Sequence, residues 1–167
     1  AILQNTFLLE QHRPDRVLIV SGDHIYKMDY GRMIEAHCEV GAGLTIACID
    51  VPIAEASSLG VIEADGQNRI VGFEEKPDVP RPSPANPDFA LASMGVYVFD
   101  TDVLVRAISE DAKRDTAHDF GKNIIPDLVS TGRIYAHNFA DSNRSHGVYW
   151  RDIGQLDAYW QCSMDLL

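Results

Sequence analysis

The chain has 167 residues, 46% of them hydrophobic and 23% charged, the balance of a globular protein with enough material for a sizeable core. Its 14 basic and 25 acidic side chains leave a formal net charge of -11, which argues against the clustered Lys and Arg of a nucleic-acid-binding surface. No apolar run approaches the roughly 20 residues of a membrane span, no signal-peptide pattern opens the sequence, and no membrane partner is expected. Cys38, Cys48 and Cys162 are odd in number, widely spaced and set among apolar residues, so buried reduced thiols in a cytoplasmic protein are expected.

Residues 1 to 11 show a helical pattern anchored by Ile2, Leu3, Leu8 and Leu9, and a start inside a helix is expected of a piece of a longer parent. Arg16 to Val20 is a short apolar, β-branched run ending at Ser21-Gly22-Asp23, the signature of a strand buried on both faces. Tyr30 to Val40 carries helical spacing, with Asp29 as N-cap and Gly41 as stop. Leu44 to Val51 is another buried strand, which completes a βαβ unit. Residues 61–64 and 70–73 flank Asp65-Gly66-Gln67-Asn68 as a hairpin. Pro77, Pro80, Pro82, Pro84 and Pro87 then rule out regular structure, and an ordered surface flap is expected. A strand over 92–99 follows, then a helix capped by Asp100 or Thr101 and running to about Ala112. Residues 119–128 form a helix that Pro126 should kink, 134–139 a strand, and Trp150-Arg151-Asp152-Ile153-Gly154 opens a last helix over 155–167. With no repeat or linker, one mixed α/β domain over 1–167 is the simplest account.

Ligands of open α/β sheets bind beyond the carboxyl ends of the strands. Asp23 stands at such an end, where a carboxylate can hold a divalent cation against a phosphate, and Gly22 permits close approach of a ligand to the backbone. Taken alone, an Asp after a strand is more often a turn or cap residue. Asp152, between Tyr149-Trp150 and Gly154, is a second such carboxylate, or else a helix N-cap. Two carboxylates brought together by the fold would suit Mg2+, though their spacing in the sequence does not show that they meet. Lys76, between Glu75 and Pro77, offers a compact cation for a sugar phosphate, or is one member of an exposed charge cluster. Gly60, Ser93 and Gly95 can contact a polar ligand or simply pack, and His118-Asp119 reads more readily as a capping arrangement than as a catalytic pair.

Six stretches stand in order: SGDHIYKMDY at 21–30, VPIAEASSLGVIEAD at 51–65, FEEKP at 73–77, LASMGVYVFD at 91–100, HDFGKNIIP at 118–126 and YWRDIGQLDAYW at 149–160. Together they resemble the sugar-nucleotide pyrophosphorylases and, within them, the bacterial glucose-1-phosphate adenylyltransferases, also called ADP-glucose pyrophosphorylases. The Gly-Asp and Trp-Arg-Asp signals are shared widely among sugar nucleotidyltransferases. SGDHIYKMDY, HDFGK and YWRDIG in this order are much more specific to the ADP-glucose branch. HDFGK argues against a thymidine- or uridine-specific sugar nucleotidyltransferase, which stays as a weaker alternative because the base-recognition residues are not among these.

The resemblance implies a partial Rossmann-like (GT-A-like) α/β nucleotidyltransferase domain, with a mixed, mostly parallel sheet and flanking helices. It implies transfer of adenylyl from ATP to α-D-glucose 1-phosphate, giving ADP-glucose and pyrophosphate for glycogen or starch synthesis. Asp23 and Asp152 match the Mg2+-binding aspartates, Asp23 being the catalytic one. Lys76 matches a catalytic and substrate-binding lysine. Gly60, Glu75 and Ser93 match positions that bind glucose 1-phosphate. The family's glycine-rich nucleotide loop, its adenine-recognition stretch and its C-terminal β-helix have no counterpart in these residues, and Ala1 aligns with the end of a Gly-Thr-Ala-Asp-Ala segment. The sugar-phosphate half is therefore expected, with ATP binding weak or lost. A homo-oligomer is expected to cover the exposed edge of the Arg16–Val20 strand. The competing reading is a non-catalytic sugar-phosphate-binding or structural remnant.

Overall fold

The computed structural model describes residues 2–84, 86–139 and 149–165. Ala1 and the last two residues of the expected C-terminal helix lie outside them. Among the described residues, eight strands and five α-helices are defined: β1 Arg16–Ile19, β2 His24–Tyr26, β3 Leu44–Pro52, β4 Gly60–Ala64, β5 Ile70–Glu75, β6 Phe89–Asp100, β7 Ile134–Asn138 and β8 Trp150–Asp152, with α1 Thr6–His12, α2 Tyr30–Glu39, α3 Thr101–Asp111, α4 Ile125–Val129 and α5 Leu156–Asp165. The main sheet runs β5-β4-β6-β3-β7, with β1 also paired to β6, while β2 and β8 form a separate two-stranded ribbon.

The α/β class and the flanking helices are those the sequence implies. The strand directions correct it: β3–β7 is parallel, whereas β1–β6, β3–β6, β4–β6 and β4–β5 are antiparallel. β1 and β3 do run the same way around α2, but the C-terminal half of β6 lies between them and pairs with both. The apolar run of β6 marks burial on both faces, and burial carries no sign of direction.

Alternation along β3 and β6 builds two layers of core. Leu44, Ile46, Cys48 and Phe99 face the layer that contains Leu104, Ile108, Ile124 and Ile125. Ala47, Met94, Val96 and Val98 face the other, with Met33 of α2, Phe139 and Trp150. Each fully buried Leu, Ile or Met here contributes about 1.5–3 kcal/mol. The Asp29 carboxylate accepts from the Gly31 amide, capping α2, and Gly41 turns the chain at φ +61°. The hairpin is closed by Asp65, whose carboxylate accepts from the amides of Gln67 and Arg69 and is held below the usual carboxylate range by them.

Four local expectations change. The Arg16–Val20 run, expected to be buried on both faces, alternates exposed and half-buried residues, with Leu18 and Val20 exposed, because β1 pairs only with β6 among the described residues. Asp100 makes no cap bond; it takes Arg133 at 3.2 Å and the buried His37 at 3.3 Å. Pro126 falls in the first turn of α4, where a missing N–H costs nothing, after a π-helical turn over Phe120–Ile124. Cys38 is exposed, on the outer face of α2; Cys48 and Cys162 are buried, and burial pushes the Cys48 thiol up to about 12.

Candidate active site

Asp23 lies in the bend between β1 and β2, and Asp152 closes β8. Antiparallel pairing sets His24 opposite Asp152, Ile25 opposite Arg151 and Tyr26 opposite Trp150. The Ile153 amide donates to the Asp23 carbonyl at 2.9 Å, and the Gly154 amide donates to Asp152 Oδ1 at 2.8 Å. A Cβ on Gly154 would stand 3.1 Å from Asp152 Oδ1 and 3.4 Å from Asp23 Oδ2. That glycine therefore leaves open the space the two carboxylates share. Ligand atoms of Asp23, His24 and Asp152 all lie within 4.8 Å of one another. Both carboxylates remain open to solvent, as a site shared with substrate oxygens and water requires. The donor set fits a divalent cation.

Gly95 supports this bend from beneath. It takes φ +68°, and a Cβ there would fall 2.6 Å from Ser21 Oγ and 3.0 Å from His24 Cε1. Its amide donates to Ser93 Oγ at 3.3 Å. Ser93, expected to touch ligand, is buried and holds this turn of β6. Tyr97, raised in pKa by burial, stacks on Phe120 at 6.0 Å.

A second group forms where β4, β5 and the Phe120–Ile124 turn meet. The Glu75 carboxylate fits between two glycines: a Cβ on Gly60 would lie 3.0 Å from its Oε2, and one on Gly121 only 2.4 Å from it. Burial, then the negative charge of Asp119, raises the Glu75 pKa, with Lys76 and Lys122 opposing. Lys76 Nζ stands 4.0 Å from Glu75 Oε1 and its side chain is largely exposed. Its backbone is left-handed at φ +52°, a strained conformation of the kind that concentrates at functional positions. Asp119 accepts from the Lys122 amide and starts the π-helical turn, so its capping role is as expected. His118 instead turns back to the buried Asp111, with 2.7 Å between Nδ1 and Oδ2.

The structure thus gathers Asp23 with Asp152, and Gly60 with Glu75 and Lys76; Ser93 and Gly95 support the first group. Sequence reasoning missed His24, Asp119 as a charge facing Glu75, Lys122 and Tyr97. The signal for Asp119 and Lys122 was the HDFGK stretch itself. A cavity of about 380 Å³ lies elsewhere, against α3 and α4. Its arginines are engaged: Arg106 with Asp102, Arg114 with Asp127, and Arg133 with Asp100 and the Gly41 carbonyl.

A family model described as nucleotidyl transferase matches residues 1–167. The chain belongs to the nucleotidyl transferase family. Among nucleotidyl transferases it is similar to the glucose-1-phosphate adenylyltransferase of Paramagnetospirillum magneticum, 47% identical over 171 residues covering 99% of this chain and 40% of that protein. The glucose-1-phosphate adenylyltransferase of Dechloromonas aromatica is 48% identical over 170 residues, covering 99% of this chain and 39% of that protein. The glucose-1-phosphate adenylyltransferase 1 of Vibrio vulnificus is 49% identical over 172 residues, covering the whole chain and 42% of that protein. The chain spans about 40% of the length of these relatives.

Proposed function

We propose that this chain is the sugar-phosphate half of a glucose-1-phosphate adenylyltransferase, the enzyme that joins ATP and glucose 1-phosphate into ADP-glucose with release of pyrophosphate. The observation that carries it is the convergence of Asp23 and Asp152 through the β2–β8 pairing. These carboxylates would hold Mg2+, which when bound neutralises phosphate charge at the reacting phosphorus. Lys76 binds the phosphate of the sugar substrate and directs its oxygen toward the α-phosphorus of ATP. Glu75 and the backbone at Gly60 accept and donate hydrogen bonds to sugar hydroxyls, and the Glu75 carboxylate is kept in place by the two glycines around it. Ser93 supports the site through Gly95. Catalysis here is positioning and charge neutralisation, with no covalent intermediate on the protein.

The test is calorimetric titration with glucose 1-phosphate and with ATP, each in Mg2+, using Lys76→Ala as the control. Binding of the sugar phosphate, lost in the variant, supports the reading; no heat from a folded chain overturns it. We place the protein in the cytoplasm; no helix among the described residues is long and apolar enough to cross a membrane. A second copy is the proposed partner of β1, which pairs with β6 on one side, has no strand on its other edge among the described residues, and exposes Leu18. A stable monomer at micromolar concentration in sedimentation would refute that.

A further inference from the structure

His24 sits one residue after Asp23, inside β2, and its ring is held from two sides. Nδ1 lies 2.8 Å from the Met94 carbonyl, which can only accept, so Nδ1 carries a proton. Trp150 meets the ring edge-on at 5.2 Å and 80°. The side chain is 11% exposed. With Nδ1 committed, Nε2 is the atom that faces the carboxylates, 3.7 Å from Asp23 Oδ1 and 3.9 Å from Asp152 Oδ2.

Those separations are too long for hydrogen bonds. They match two ligands on one ion: donors about 2.1–2.2 Å from a shared cation stand about 3–4.4 Å apart, depending on the angle between them. An imidazole whose other nitrogen donates to a backbone carbonyl is also the usual form of a metal-ligating histidine, because that bond fixes the tautomer and aims the free lone pair.

We propose that His24 is a third ligand of the cation held by Asp23 and Asp152. The proposal rests on the reading of those two aspartates as cation ligands and goes beyond it. Two carboxylates alone suit a hard ion such as Mg2+. An added imidazole nitrogen favours first-row transition ions over Mg2+, so the trio binds Co2+, and to a smaller degree the harder Mn2+, more tightly than Mg2+.

The test uses Mn2+ as probe. Pulsed electron paramagnetic resonance of the Mn2+-loaded chain should show coupling to one directly bound imidazole nitrogen, and the pattern should change when histidine carries 15N. His24→Asn keeps a side-chain N–H for the Met94 carbonyl but has no group at the Nε2 position. It should lose that coupling and weaken Mn2+ about tenfold or more, while Mg2+ affinity falls less than threefold. Metal-free thermal melts of the variant show whether it folds; if it does not, the spectrum of the unaltered chain decides. Mn2+ bound without nitrogen coupling, and lost in Asp23→Asn and Asp152→Asn, would sink the role of His24 and leave the two-carboxylate site standing. No Mn2+ binding to the folded chain would overturn both.

Discussion

Gly95→Ala is the substitution that most directly loads the support of the proposed cation site. The residue takes φ +68°, where an L side chain costs about 1–2 kcal/mol. The added methyl also falls 2.6 Å from Ser21 Oγ and 3.0 Å from His24 Cε1, and overpacking of that kind costs about 1–3 kcal/mol. Ser21 can rotate away; the His24 ring is pinned by Met94 and Trp150, so part of the clash stays. A loss of about 2–5 kcal/mol follows, and 3 kcal/mol lowers Tm by about 6–12 °C in a chain of this length. Urea unfolding of the parent, Gly95→Ala and Gly95→Ala/Ser21→Ala measures it. Removing Ser21 Oγ should recover part of the overpacking and none of the backbone strain, giving a favourable coupling in the double-mutant cycle. A Gly95→Ala variant within 0.5 kcal/mol of the parent (about the scatter of neutral surface changes) would refute the reasoning.

Other outcomes follow from the same geometry. Lys76→Ala should weaken glucose 1-phosphate by about 1.5–3 kcal/mol, on the order of 10- to 150-fold in calorimetry, with little change in Tm because the side chain is exposed. Gly121→Ala should push the Glu75 carboxylate out of its slot, weakening glucose 1-phosphate in the same titration while the melt changes less than for Gly95→Ala. His37 and His137 are both lowered in pKa, chiefly by burial, so the unfolded chain binds their protons first. Stability should therefore fall as pH drops below about 6.5, and His37→Gln should flatten that limb in melts across pH 5–7. Glu75 has the opposite sign: its raised pKa makes the folded state bind its proton first, so its contribution declines as pH rises above about 4.3, and Glu75→Gln should remove that slope.

Long apolar or periodic segments were legible because burial writes itself into residue type: β3, α2 with its Asp29 cap, and the Asp65 hairpin stand where the pattern puts them. β2 and β8 were not, since three-residue strands carry no periodicity and exist because His24, Ile25 and Tyr26 find Asp152, Arg151 and Trp150 across the fold. Asp152, read in the sequence as a cation-holding carboxylate or else a helix cap, is a strand residue in the structure, its carboxylate bonded to the Gly154 amide. Strand direction was hidden for the same reason that β6 was visible: a strand buried on both faces has one composition whichever way it runs. His24 went unread because its chemistry depends on where Met94 holds the ring.

The central claim is that the Asp23–Asp152 cation and the phosphate near Lys76 share one site, and 31P relaxation of glucose 1-phosphate by Mn2+ tests it most directly. Substoichiometric Mn2+ should strongly broaden the phosphorus signal in the unaltered chain, and the broadening should vanish in Asp23→Asn and in Lys76→Ala. A sharp phosphorus line with both ligands demonstrably bound would place them apart and contradict the account.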